Sequence, residues 1–255
     1  MGQVREKMII FFRRVYRAKH RYGFIGLFKL SLAHIARRIR LLDSSVRAEF
    51  QKHKQREVAF DEQFGVDTIG FVDQTDLIVH NPNQIYAASY EASDPQYFRD
   101  AISILMIDYQ RFNFIDFGSG KGRAILLATE FPFKKITGVE FSEKLHKIAL
   151  DNISRFKSTI SKCTDVESIC MDVVDYPLPN ECLVCYFFNP FDATVLAQVI
   201  SNIQKSLLKN PREIFIVYCR PKEAHIIEQT ECFKKINEIG PVSIWQTTNK
   251  KIIIS

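Results

Sequence analysis

No run of the 255 residues is apolar for the roughly 20 positions that a membrane-crossing helix needs. The first apolar stretch, residues 8–12, is stopped by Arg13 and Arg14, short of the ~7–15 residues of a secretory core. Glu6 stands where an N-myristoylation signal wants Ser or Thr. Metal patterns are missing as well. Cys182 and Cys185 form a C-x-x-C with no second Cys or His pair near it, inside an apolar run that reads as strand. The other cysteines, Cys163, Cys170, Cys219 and Cys232, also lie mostly in apolar, strand-like runs, as small buried thiols do in a reducing compartment. Internal repeats, low-complexity tracts and nucleic-acid-binding motifs are absent. The expectation is a cytoplasmic protein, at most peripheral at a membrane, that holds no metal.

What the chain has is an uneven charge. Residues 1–48 carry 12 Lys+Arg against 2 acidic residues, while the remainder carries 23 against 27. The formal +6 therefore belongs to the N-terminus. Across residues 4–42, apolar positions at spacings of three and four interleave with Arg and Lys, which predicts two amphipathic helices broken near Gly23. Such a stretch packs on a core with its charges in water, lies on an anionic membrane, or contacts phosphates, nucleic acid being the least supported of the three. Residues 1–60 are read as this basic helical extension and residues 61–255 as the main domain. At 46% hydrophobic content the main domain can bury a full core.

Residues 43–64 read as a charged helical connector running into a turn at Gly65, and residues 77–82 are too interrupted to assign. Ser93-Asp-Pro-Gln predicts a helix start with Pro95 in its first turn, followed by Phe98, Ile102, Leu105 and Met106. Then strands and helices alternate. Strands are expected at 112–117, 136–141, 168–171, 182–188 and 214–219, with helices after each: one over 124–128, one opened by Ser142, one striped by Val195, Leu196, Val199, Ile200, Ile203 and Leu207, and a short one over 221–230. The run 182–188 is apolar without alternation, the mark of a strand covered on both faces. Two last strands are expected at 233–239 and 250–254. Repeated strand–helix units predict an α/β fold with a doubly wound, mostly parallel sheet and an antiparallel hairpin at its end.

Three of the chain's 10 glycines, Gly118, Gly120 and Gly122, fall within five positions directly after a strand and before a helix. That is a nucleotide-type turn, where the backbone bends and comes close to a ligand. A P-loop needs Ser or Thr after its Lys, and Gly122 follows Lys121 here. A dinucleotide turn wants a glycine where Arg123 stands. Asp116 sits immediately ahead of the loop, where a carboxylate would repel a pyrophosphate and attract an ammonium or sulfonium.

The segment from Asp116 to Gly122, Asp-Phe-Gly-Ser-Gly-Lys-Gly, resembles the first motif of the class I S-adenosylmethionine-dependent methyltransferases. Its D-x-G-S-G-x-G form is similar to the non-SET lysine methyltransferases and to bacterial members without an assigned substrate. The resemblance covers residues 90–255 and implies a seven-stranded Rossmann-like sheet with a reversed last strand and S-adenosyl-L-methionine as cofactor. It assigns Asp116, Gly118, Ser119, Gly120, Lys121 and Gly122 to the cofactor loop, Glu140 to the ribose hydroxyls with Phe141 beside the adenine, and Asp172 and Val173 to the adenine amino group. Asn189, Pro190 and Phe191 stand at the acceptor motif, Asn189 also touching the cofactor, and Tyr90 and Ser93 would close over the methionine end. Taken singly, Glu140 or Asp172 reads as a solvated strand end and Asn189-Pro190 as a turn; four such sites on successive strand ends suit one ligand across the sheet edge.

The function expected is methyl transfer to a nucleophile, a nitrogen in a protein lysine or small amine. Asn189 and the Pro190 main chain would accept the amine's hydrogens, and Phe188, Phe191 or Tyr186 would line the passage. The motif lacks the second proline of many N-methyltransferases. Two alternatives from other classes are a catalytically silent scaffold docking to membrane or protein through the basic N-terminus, and a nicotinamide-dependent oxidoreductase.

Overall fold

The computed structural model describes residues 44–70 and 90–248. The expected helices over 4–42, the unassigned stretch 77–82 and the expected strand 250–254 lie outside these residues. The chain divides into two units, Met1–Gln55 and Arg56–Ser255. The site lies in the second, which begins within helix α1 (Ser44–Phe64).

α1 ends where Gly65 adopts φ +67° and the Gly65 and Val66 N–H groups bond to the Asp61 carbonyl at 2.8 and 3.1 Å. Helix α2 (Pro95–Ser103) is capped by Asp94, whose carboxylate accepts from the N–H groups of Gln96 and Tyr97. The cap therefore falls one residue later than the start read at Ser93. Ser93 instead shares a 3.1 Å hydrogen bond with the Tyr186 hydroxyl.

Seven strands follow: β1 (Phe112–Phe117), β2 (Lys135–Glu140), β3 (Val166–Cys170), β4 (Cys182–Phe187), β5 (Ile214–Cys219), β6 (Phe233–Ile239) and β7 (Val242–Thr247). They form one sheet in the order β3-β2-β1-β4-β5-β7-β6. The first five pair in parallel, and β7 runs antiparallel to both β5 and β6. The seven-stranded sheet with its reversed last strand is thus present. The last strand is Val242–Thr247, which Ser243, Gln246 and Thr247 disguise in the sequence. It returns through a turn in which Gly240 takes φ +55°.

Strand order reverses between β1 and β4, so the loops leaving them diverge and open a crevice at their carboxyl ends. Helices α3 (Arg123–Ala128), α4 (Glu143–Arg155), α5 (Ala193–Lys209) and α6 (Ala224–Glu228) complete the unit. Residues of β4 alternate between two cores: Val184 and Tyr186 join Phe98, Ala101 and the α3 side chains, while Leu183, Cys185 and Phe187 join the α5 stripe. That two-sided cover explains the unbroken apolar run. The stripe buries Val195, Leu196, Val199, Ile200, Ile203 and Leu207, the same six side chains read from the spacing. Cys182 and Cys185 are free thiols on opposite faces of β4, and no group of ligands fit for a metal occurs among the described residues. Tyr186 lies wholly in the core instead of along a passage.

Helix α3 reaches β2 through Gly138. A Cβ at this position would stand 2.1 Å from Ile125 Cδ1 and 2.9 Å from its Cγ1. Isoleucine in a helix has little rotamer freedom with which to yield. Gly138→Ala should therefore cost about 1–3 kcal/mol, read as a lower urea midpoint at constant m. Adding Ile125→Val should return part of that loss, through the coupling expected of neighbours in contact.

Candidate functional site

The glycine turn leaves β1 and is bent by left-handed residues, Gly118 at φ +81° and Gly120 at φ +54°. The N–H groups of Gly118 and Ser119 both donate to the Val139 carbonyl, at 2.9 and 3.1 Å, fastening the turn to β2. Glycine is required here for a second reason. A Cβ on Gly118 would lie 2.4 Å from Pro190 Cβ, and one on Gly120 would lie 2.2 Å from the Tyr90 ring. The loop after β4 and the segment before α2 thus close directly on the turn.

Beneath the turn, residues 61–69 form a strap. Arg123, the first residue of α3, is 1% exposed. Its Nε donates to Thr68 Oγ1 at 2.5 Å, its Nη2 to Asp61 Oδ1 at 2.9 Å and to the Glu57 carbonyl at 3.3 Å, and its guanidinium lies 5.2 Å from the Phe60 ring centre. Asp61 also accepts from the Thr68 hydroxyl and from the N–H groups of Thr68 and Ile69. Asn152 of α4, fully buried, accepts from Asp67 N at 2.8 Å and donates to the carbonyls of Asp67 and Lys121, both at 2.9 Å. The Tyr90 hydroxyl donates to the Thr68 carbonyl at 2.6 Å. Strap, turn and α4 are one hydrogen-bonded body.

Over this body lies a cleft of about 810 Å³, counted out to its open mouth. Twelve of the fifteen residues expected at the site line it: Tyr90, Ser93, Asp116, Gly118, Ser119, Gly120, Glu140, Phe141, Asp172, Val173, Pro190 and Phe191. Three do not. Lys121 turns its ammonium to Asp67 Oδ1 at 2.8 Å and the Ile69 carbonyl at 2.7 Å, so it ties down the strap. Gly122 faces Ala149 of α4, with 3.3 Å between a Cβ built on it and the Ala149 methyl. Asn189 takes φ +49°, and its side-chain oxygen accepts from the Tyr218 hydroxyl at 3.4 Å. Phe188, expected along the passage, lines the cleft too, and Glu91, Arg123 and Val195 do so without having been read as site residues. Arg123 was legible only as a departure from a dinucleotide turn, and its partners Asp61 and Thr68 carry no motif.

Three carboxylates from successive strand ends share this hollow. Glu140 accepts Gly120 N at 2.8 Å on one oxygen and Ser142 N at 2.9 Å on the other. Burial pushes it up to about 7 although those N–H bonds pull the other way. Asp116 accepts no hydrogen bond among the described residues, and burial, reinforced by the Glu140 charge, pushes it up to about 8. Asp172 caps a turn by accepting Val174 N at 3.0 Å. A buried carboxyl of this kind is stabilised as an anion by an incoming cation.

At the mouth, Arg220 pairs with Glu91 at 3.0 Å and lies 5.3 Å from the centre of the Phe188 ring. Arg220 and Asn189, at the ends of β5 and β4, both hold left-handed backbone, at φ +51° and +49°. Strain of this kind gathers at functional sites.

No protein-family model matches the chain, and no curated protein matches it. Among solved structures, the fold is similar to a ribosomal protein L11 methylase from Lactobacillus delbrueckii subsp. bulgaricus, 14% identical over 61% of this chain and 78% of that one, TM-score 0.43. It is also similar to an RNA methyltransferase from Salinibacter ruber in complex with S-adenosyl-L-homocysteine, 13% identical over 64% and 96%, TM-score 0.42. A third is an rRNA methylase from Streptococcus thermophilus, 13% identical over 62% and 97%, TM-score 0.38. At these identities and scores none of the three says what this chain acts on.

The raised carboxyls have a consequence for stability. Between their ordinary values of 3.8 and 4.5 and the folded values of about 8 and 7, the folded chain holds protons that the unfolded chain has released. Their contribution to stability therefore falls as pH rises through that window. The melting temperature of the ligand-free protein should drop from pH 5 to pH 8, and Asp116→Asn should flatten the drop.

Proposed function

We propose that the chain is an S-adenosylmethionine-dependent methyltransferase acting on a nitrogen, in a protein lysine or a small amine. The observation that carries this reading is the convergence of Asp116, Glu140 and Asp172 on one cleft with the glycine turn on one side and Pro190-Phe191 on the other. The donor set suits a cofactor whose charges are an ammonium, a sulfonium and a carboxylate. Asp116 is a buried acceptor without a partner, and the mouth of the cleft sets the Phe188 ring beside the Glu91–Arg220 pair.

When bound, S-adenosylmethionine supplies a methyl group already activated by its sulfonium, so the chain needs little acid–base apparatus. Asp116 would hold the ammonium. The Glu140 carboxylate uses one acceptor site on each oxygen for Gly120 and Ser142, which leaves a lone pair on each for two ribose hydroxyls. Asp172, with the Val173 main chain, would take the adenine amino group, and Phe141 would flank the base. Tyr90 and Pro190, pressed onto Gly120 and Gly118, exclude water from the floor of the turn.

On the acceptor side, Phe188 and Phe191 line the approach and Pro190 stands between them and the turn. The Phe188 ring faces the Arg220 guanidinium, whose charge Glu91 balances, so this side of the approach is aromatic without net charge. The Pro190 carbonyl would accept a hydrogen from the neutral amine and aim its lone pair. The Asn189 side-chain oxygen, outside the cleft lining and on the Tyr218 hydroxyl, would have to turn inward to accept a second.

Isothermal titration with S-adenosylhomocysteine should show binding by the wild type, at least tenfold weaker binding by Asp172→Ala, and none by Gly118→Val. Binding too weak to detect in the wild type would reject the reading. Incubation of an extract with methyl-labelled cofactor should then put label into primary amines; label in lipid or in nucleic acid would overturn the acceptor assignment.

A further inference from the structure

The described residues contain four buried side-chain polar atoms without a hydrogen-bond partner: Asn113 Oδ1, Ser119 Oγ, Arg123 Nη1 and Trp245 Nε1. Two of the four belong to residues that line the cleft, and both lie at the glycine turn. Arg123 is the more demanding case. Its Nε and Nη2 are engaged by Thr68, Asp61 and Glu57, while Nη1 is sealed from water with both of its hydrogens unused. A charged donor in that position is expected to have an acceptor.

The guanidinium cannot leave to find one. Asp61 grips one edge, Phe60 lies against one face, and Asp61 is itself held by three donors from Thr68 and Ile69. The orphan nitrogen therefore has a fixed direction, which is what pre-organisation for an anionic oxygen requires. The charges are arranged in order along the chain. Asp116, a buried acceptor with no donor, stands before Gly118, and Arg123, a buried cation with an unused donor, stands after Gly122. An unpartnered acceptor at one end of the turn and an unpartnered donor at the other complement the ammonium and carboxylate of an α-amino acid.

We propose that Arg123 Nη1 binds the α-carboxylate of the cofactor's methionine moiety, and that the Asp61–Thr68 strap exists to hold it there. This rests on the cofactor reading above. Arg123 is then a binding residue on a position that in a dinucleotide turn would be glycine, and the strap is part of the cofactor site although it touches no ligand itself.

The test compares two ligands by titration calorimetry: S-adenosylhomocysteine, and 5′-S-(3-aminopropyl)-5′-thioadenosine, which keeps the adenosine, the thioether and the ammonium but lacks the carboxylate. The full-length wild type should prefer the first by about 10–100-fold, the range of one charge-assisted hydrogen bond. Arg123→Met combined with Asp61→Asn, which leaves neither charge of the buried pair alone, should reduce that preference to within about threefold. Arg123→Lys, which keeps the charge without the fork, should fall between them. A wild type that binds the two equally overturns the proposal with no variant needed. A folded double variant that keeps the wild-type preference, however weakly it binds either ligand, also overturns it, since the side chain would then only support the strap. Binding of neither ligand by the wild type removes the cofactor reading itself, and this proposal with it.

Discussion

The Arg123–Asp61 ion pair is the contact on which the geometry of the cleft depends. It joins positions 62 apart in the chain and is buried at both ends, so neither charge can fall back on water if the other is removed. Desolvating two ions is expensive, and their mutual attraction offsets the cost only when every remaining lone pair and hydrogen is used. Asp61 meets that condition, with three further donors from the strap. Arg123 does not fully meet it, and the shortfall lies where the cleft begins. A pair of this kind adds little net stability, but it allows one position for the strap and, through Tyr90, one position for the wall over Gly120.

The cleft is acidic on its inside, while the chain's excess of positive charge lies in residues 1–48. Two carboxyls raised by burial can be tolerated side by side because one or both carry a proton at neutral pH. A ligand with a positive centre would draw off those protons and stabilise the carboxylates, which a phosphate would not.

Much of this was legible from the order of residues. The unbroken run of β4 and the six-residue stripe of α5 were readable because burial on both sides, or on one helical face, leaves a periodicity that needs no partner to be seen. The carboxylates at the ends of β1, β2 and after β3 were readable because strand ends in a parallel sheet share an edge. The strap was not: Asp61, Thr68, Asn152 and Arg123 each look ordinary, and only the tertiary fold brings them together. Lys121 was misleading for a related reason. A lysine in a glycine loop suggests a ligand, and here its nearest anion is Asp67, more than fifty residues earlier. β7 was missed because three polar side chains interrupt its apolar ones, as happens on a strand near a sheet edge.

The meeting of Pro190 with Gly118 makes the floor of one half of the cleft the party wall of the other. There is no slack in that wall, not even a methyl group's worth. Positions 118 and 190 are therefore bound to drift together over generations: a bulkier residue on either side demands a smaller one opposite, or a wider separation of the loops that follow β1 and β4. The same lack of slack means that pressure on the wall from one chamber is felt in the next, so the two chambers cannot be reshaped independently.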